Sequence, residues 1–312
     1  MFKLSLPLVI LFLLLPGRPA VAETYVLPPD GIDLVGSPHW VLTRQKDTLL
    51  DVARRYGVGY EEVVRANPGV DPWIPGNGTR VLLPTRYVLP AAVREGVVIN
   101  LPEYRMYYFP RAGDETAPAV VTHPISIGRM DWTTPVGTHR VVTKVKNPSW
   151  YPPESVRKEH EAEGDILPKV VPPGPDNPLG DYAMRLSIPG YLIHGTNKPA
   201  GVGMRVTHGC IRMFPEDIEK LFPTIDVGTP VTIIDEPVKV GWAADSLFVE
   251  VHPPLEEQSE GRRRMQFTRL LREAATLRGK RVDWPRAEQI YVQATGLPVE
   301  VPLLSADMAA TH

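Results

Sequence analysis

Proline is the strongest constraint on what this chain can become. It carries 35 prolines in 312 residues, about twice the usual share. Each proline fixes φ near −65° and removes a backbone donor, so it breaks a helix interior and costs a central strand a ladder bond. They are spread along the chain rather than gathered in one low-complexity tract. This predicts many short strands with stiff connections and few long helices. The length suits two or three domains rather than one. With 43% hydrophobic and 22% charged residues, the balance is that of a soluble globular protein and excludes a disordered or fibrous one.

The first segment reads as a targeting signal. Lys3 supplies a positive start, Leu4 to Leu15 form an almost unbroken apolar run, and Ala20-Val21-Ala22 gives a small-x-small cleavage pattern before Glu23. The run is shorter than the ~20 residues that span a bilayer, which favours cleavage over a membrane anchor. No cysteine follows it, so a lipoprotein anchor is not indicated. The expectation is a signal peptide over 1–22 and a periplasmic, exported protein. Loss of Lys3 and Arg18 with that segment takes the formal charge from −2 to −4, which gives nucleic acid no reason to be a partner.

Residues 39–84 carry their own punctuation. Asp47-Thr48 offers an N-cap, and Leu49, Val52, Ala53 and Tyr56 follow at helical spacing. Gly57 ends this helix, and a second from Tyr60 to Ala66 stops at Asn67-Pro68. Val81-Leu82-Leu83-Pro84 closes the unit as a strand, giving the order strand, helix, helix, strand. With Tyr56-Gly57-Val58, these landmarks resemble a LysM domain. Lys46 and Leu50 depart from the family's usual glycine and aromatic. The resemblance implies binding to peptidoglycan glycan; a purely structural use is the alternative.

From 96 to 235 the chain reads as strands. Val97-Val98-Ile99, Arg105 to Phe109, Val120 to Ile127, Thr138 to Lys146, Tyr182 to Ile188 and Val231 to Ile234 are β-prone runs bounded by proline or glycine. The stretch 147–180 is rich in proline, glycine and charge and shows no periodicity. A connection of that length in a compact domain is usually functional, as a lid or a substrate wall. Beyond Pro237 an extension runs over 237–312, with amphipathic helices expected at Arg262 to Arg278 and Pro285 to Thr295. No chemistry is legible there. The expected fold class is therefore multidomain and mainly β with α+β parts: a small βααβ unit, a β-rich domain and an α-containing extension.

Cys210 is the single cysteine. In an oxidising compartment an unpaired thiol is exposed to oxidation, and a buried apolar role is the ordinary explanation. Its neighbours point elsewhere: Ile193-His194-Gly195-Thr196 lies upstream, and Thr207-His208-Gly209-Cys210-Ile211-Arg212 surrounds it. A free thiol has a pKa of about 8.5, so an imidazole that takes its proton raises the thiolate fraction. Gly195 and Gly209 lack a Cβ and let backbone amides approach a reacting carbonyl. The amides of Gly209 and Cys210 are thus oxyanion-hole candidates.

Those two segments look like the active-site signature of YkuD-type L,D-transpeptidases. Val98 to Glu103, Thr134-Pro135-Val136-Gly137, Gly174 to Pro178 and Val227 to Val231 match the same catalytic domain. Thr207 stands where serine is commoner. The LysM-first order and the tail from Asp235 to Lys239 are similar to the branch that attaches an outer-membrane lipoprotein to peptidoglycan. The resemblance implies Cys210 as nucleophile, His194 as base and then acid, the Gly195 carbonyl as the group orienting His194, and His208 as a support residue. Arg212 would bind a substrate carboxylate or form a structural salt bridge. The implied partners are peptidoglycan stem peptides, glycan and a lipoprotein, with no cofactor and no metal. The alternatives are an L,D-carboxypeptidase, a wall-binding module with an idle site, and zinc held by His194, His208 and Cys210, donor types that suit the ion. His123, His139, His160 and His252 have no comparable context.

Overall fold

The β-branched and aromatic runs of the middle segment pair into one nine-stranded sheet. Its order is Glu23–Val26, Ala119–Pro124, Arg105–Phe109, Gly96–Asn100, Pro230–Ile234, Gly137–Lys146, Tyr182–Leu186, Leu192–His194, Ile211–Arg212. This is a computed structural model describing residues 23–111, 117–255 and 259–305. The expected signal peptide, 1–22, lies outside the described residues. Among them, no helix is long and apolar enough to cross a membrane.

Side chains alternate across a strand with period two, and here both faces are covered. Val97, Ile99 and Met106 join Met184, Ile193 and Ile211 in the main core, while Val98, Tyr107 and Phe109 turn to Val35, Tyr87 and Leu89 on the other side. The sheet reaches beyond 96–235, because Glu23–Val26 pairs along its edge with Ala119–Pro124. The prolines act as expected. Of the helices among the described residues only Glu260–Leu277 exceeds ten residues, and no proline interrupts it.

The small unit has the order read from its sequence: His39–Leu42, Leu49–Arg55, Tyr60–Ala66 and Arg80–Leu83. Thr48 and Asp51 form a reciprocal capping box, and Leu49, Val52 and Ala53 bury against Val63, Val81 and Leu83. Docking onto the large domain is tight. Glu62 receives Arg105 at 2.8 and 2.7 Å in a buried ion pair, and Arg54 grips Glu216 at 2.9 and 3.2 Å. Gly203, at φ 85°, lies so close that a Cβ would stand 2.4 Å from the Tyr60 amide nitrogen.

Two expectations need correction. The extension is α-containing as expected, but it is α+β, with a sheet that was not read. Its helices are present as Glu260–Leu277 and Trp284–Gln293, but Val238–Ala243, Ser246–Val251 and Val299–Val301 form a three-stranded sheet beneath them. The hairpin escaped detection because its turn is Ala244-Asp245, with Ala244 at φ 52° in place of the usual glycine or asparagine. The aperiodic stretch 147–180 also contains a helix, Glu154–Ala162, in which only Val156 is buried. One apolar contact in nine residues leaves no periodic signal.

Candidate active site

The end of the sheet brings the two histidine-glycine segments together. Leu192–His194 and Ile211–Arg212 run parallel, with Ile193 opposite Ile211 and His194 opposite Arg212. Because side chains alternate, Ile193 and Ile211 enter the core, while His194 and Arg212 project from the other face, and Cys210 stands directly before the second strand. The ladder continues through Met213 N–H to the His194 carbonyl at 2.9 Å, and Ser126 closes the far side of Arg212 with bonds of 2.8 and 3.0 Å. His194 is buried, and its Nδ1 lies 2.6 Å from the Gly195 carbonyl. With that nitrogen donating, Nε2 is left as the basic one.

Cys210 is free and half-buried, its Sγ 3.6 Å from the Gly190 carbonyl. Its loop is tied by hydroxyls. Thr207 Oγ1 donates to the Cys210 carbonyl at 2.6 Å and accepts the Gly209 amide at 3.2 Å, while Thr134 Oγ1 donates to the Gly209 carbonyl at 2.8 Å. Gly209 sits at φ 98°, and a Cβ there would press to 2.8 Å from the Tyr191 ring. This revises one expectation: the Gly209 amide is engaged by Thr207, so the Cys210 amide is the better oxyanion donor in this arrangement.

Electrostatics revises another. Desolvation raises the Cys210 thiol above its ordinary value and outweighs the Leu192 backbone bond and the nearby Arg212 charge, which both lower it. Burial first, then Arg212, pushes His194 down to about 3, against the pull of the Gly195 and Leu179 carbonyls. Both directions favour a neutral thiol and a neutral imidazole at rest over a thiolate formed in advance. Since the thiolate is the reactive form, alkylation of Cys210 by iodoacetamide should climb with pH to a midpoint above ~8.5. It should show no inflection near 6.5. Arg212→Gln removes a charge that favours the thiolate, so its midpoint should lie higher still. Labelling rates by mass spectrometry from pH 6 to 10 check both; a midpoint below 7 would contradict the arrangement.

Arg212 is itself half-buried, and its buried Nε has no hydrogen-bond partner among the described residues. That nitrogen is not committed to a salt bridge with the described residues. His208 points to a different neighbourhood. Its Nε2 lies 3.0 Å from Glu159 Oε2 and 3.2 Å from Arg129 Nη2, and Trp132 packs edge-on at 5.1 Å. Burial first, then Arg129, pushes its pKa down to about 4. The Glu159 carboxylate would favour a charged ring, but Arg129 pairs with that carboxylate. We therefore read His208 as neutral, with Nε2–H donating to Glu159.

Sequence reasoning missed Glu159, Arg129 and Trp132. Glu159 lies in the helix that gave no periodic signal, and the other two lie on a loop between strands, where only three-dimensional proximity marks them. His160 was read as ordinary, yet its ring is 6.3 Å from that of His208. His194, His208 and Cys210 do not converge as metal ligands. Among the described residues only Glu103, Glu250 and His252 bring three potential ligand atoms within 4.8 Å, and the Lys239 ammonium already lies 2.9 Å from Glu103 and 2.7 Å from Glu250.

Fold and loop geometry together define a β-rich domain that presents one cysteine at a sheet end. Residues 94–233 match the family model of the YkuD L,D-transpeptidase catalytic domain. Over 299 residues the chain is 40% identical to the probable L,D-transpeptidase ErfK/SrfK of Salmonella typhimurium, covering 93% of this chain and 94% of that protein. It is 41% identical over 290 residues to the probable L,D-transpeptidase YbiS of Escherichia coli K12, with 90% and 93% covered. For the probable L,D-transpeptidase YcfS of the same strain the identity is 43% over 246 residues, with 77% and 76% covered. The chain belongs to the L,D-transpeptidase family.

Proposed function

We propose that this protein is a cell-wall L,D-transpeptidase in which Cys210 attacks the carbonyl of the third residue, a diamino acid, of a tetrapeptide stem. The observation that carries this reading is the pairing of His194 with Arg212 on neighbouring parallel strands, the second of which starts directly after Cys210. As the C–S bond forms, the thiol proton passes to His194 Nε2 and the carbonyl oxygen becomes an oxyanion at the Cys210 amide. The tetrahedral intermediate collapses, the amide bond breaks, and the D-alanine amine leaves with the proton from His194. An acceptor amine then attacks the thioester, gives its proton to His194, and expels Cys210. The result is a new amide with no energy source beyond the bond exchanged. Arg212, unpaired at Nε, suits a stem carboxylate. No metal or organic cofactor enters any step.

The small βααβ unit serves in this reading as a LysM-type glycan anchor. Its exposed Trp73, packed 6.1 Å from Tyr60, and the exposed Ile74 beside it give a sugar ring an apolar platform. The acceptor is the amine of a second stem or the lysine of an outer-membrane lipoprotein, and residues 1–22 direct the protein to the periplasm. Incubation with tetrapeptide muropeptides should release D-alanine and yield an amide-linked product, seen by mass spectrometry with a thioester on Cys210. Release of D-alanine with trimmed stems alone would assign a carboxypeptidase. Glycan binding with no release would leave a wall-binding module.

A further inference from the structure

We infer that Arg129 and His208 form a carboxylate-binding subsite on the rim of the nucleophile loop, occupied in the free protein by Glu159 and taken over by a carboxylate of the stem peptide. The inference rests on the proposed substrate class and deepens it. The two donors are fixed to the loop that carries the thiol. His208 precedes Gly209-Cys210 directly, and the Arg129 amide donates to the Thr207 carbonyl at 3.0 Å. Trp132 packs on the His208 ring and limits how it turns.

The carboxylate between them comes from elsewhere. Glu159 belongs to the helix Glu154–Ala162 of the insertion and divides its oxygens, Oε1 to Arg129 and Oε2 to His208. A guanidinium and a ring N–H converging on the two oxygens of one carboxylate is the donor set by which proteins recognise carboxylate ligands. That helix is lightly held, with Val156 its only buried side chain. The neck of the insertion is anchored separately, by fully buried Asn177 donating to the carbonyls of Pro148 and Pro172 at 2.8 and 3.1 Å. Glu159 can therefore leave without unfolding the loop. Water reaches all three groups, with side-chain exposures of 38% for Arg129, 29% for His208 and 28% for Glu159. Departure of Glu159 would leave a guanidinium without its counter-charge beside His208, and an incoming carboxylate restores the balance. A tetrapeptide stem offers more than one, among them the terminal carboxylate of D-alanine and, where the diamino acid is a dicarboxylic one, its side-chain carboxylate.

The test is equilibrium binding by calorimetry in the full chain carrying Cys210→Ala, so that no peptide is consumed. Three synthetic tetrapeptides are compared: the free acid, the form amidated at the diamino acid side chain, and the form amidated at the terminal D-alanine. Glu159→Gln removes the internal competitor while keeping its size, and should tighten the free acid several-fold. Arg129→Gln should weaken the free acid by roughly 10- to 100-fold, the worth of a hydrogen bond to a charged group, and should erase the preference for one acid over its amide. Arg129→Lys should recover part of that preference. Whichever amide loses affinity in the unsubstituted rim identifies the carboxylate that binds. Weaker binding of every peptide in Glu159→Gln, or equal losses for acids and amides in Arg129→Gln, would overturn the subsite and leave Glu159 a strut for the insertion. Failure of the proposed reaction reads differently: no D-alanine release by the Cys210 enzyme, with the acid preference and its response to Glu159→Gln intact, would remove the transpeptidase and keep the subsite.

Discussion

Cys210→Ala should form no covalent adduct with a tetrapeptide stem and should release no D-alanine, a loss on the order of 10⁶ in turnover if the nucleophile and base act as one unit. His194→Ala keeps the thiol but removes the acceptor of its proton. In an environment that already raises the thiol above its ordinary value, little thiolate forms at neutral pH without that acceptor. The His194 variant should therefore fall by at least the 10²–10⁴ that a positioned acid-base group contributes. The double variant should be no worse than Cys210→Ala alone, because neither group works without the other. Cys210 is half-buried, and its sulfur meets only the backbone, at Gly190 and Leu192, so the alanine variant should lose about 1 kcal/mol of stability or less. An unchanged melting curve beside abolished acylation would assign chemistry to the thiol. Full turnover in Cys210→Ala would remove the mechanism.

The legible and illegible parts of this chain divide by the range of the forces involved. Thr48, Leu49, Val52 and Ala53 announced a capped helix because capping and periodicity are local, and the structure places that helix where the spacing puts it. The central strands were legible because Val97, Ile99, Val231 and Ile233 are β-branched and bounded by breakers. Glu23–Val26 was not, because it is a strand only by pairing with Ala119–Pro124, a contact nearly a hundred residues away in sequence. The site shows the same division. His194, Cys210 and Arg212 stood out by motif, but their effect on one another's ionisation did not. Arg212 lowers His194 from the paired strand and Cys210 from two residues along the chain, while burial raises the thiol. Neither can be read from spacing alone. Glu159 lay in a helix whose register nothing in its sequence advertised.

The extension, in which no chemistry was legible, is fastened by a buried charge cluster, and breaking it should cost more stability than any surface change. Lys239 Nζ lies 2.9 Å from Glu103, 2.7 Å from Glu250, 3.0 Å from the Tyr107 hydroxyl and 2.7 Å from the Val88 carbonyl. Glu250 also accepts the Val88 amide at 2.7 Å. The cluster thus joins the central sheet, the crossing strand Arg86–Val88 and the C-terminal sheet at one ammonium. Burial would lower the Lys239 pKa, but Glu103 and Glu250 outweigh it and hold the ammonium above its ordinary value, while Lys239 in turn holds Glu250 below its own. The raised lysine stabilises below its unfolded pKa of ~10.4 and stops doing so as pH rises through its folded value. The lowered Glu250 stabilises above ~4.3 and stops as pH falls through its folded value. Lys239→Met fills the space but leaves Glu103 and Glu250 facing each other without the ammonium, with His252 Nε2 at 2.6 Å from Glu250 as a remaining polar neighbour. The expected loss is about 3–5 kcal/mol, roughly 10 °C or more in midpoint for a domain of this size. That loss should shrink as pH falls and one of the two carboxylates takes up a proton. Adding Glu250→Gln should recover part of it at neutral pH, since the carboxylates are in direct contact with the lysine they share. The catalytic strands lie at the opposite end of the sheet from Arg105–Phe109, so acylation of Cys210 at 25 °C should persist in the variant. Thermal melts at pH 5 and pH 8 check the sign, and a loss that grows as pH falls would show that the carboxylates are not what the missing ammonium leaves exposed.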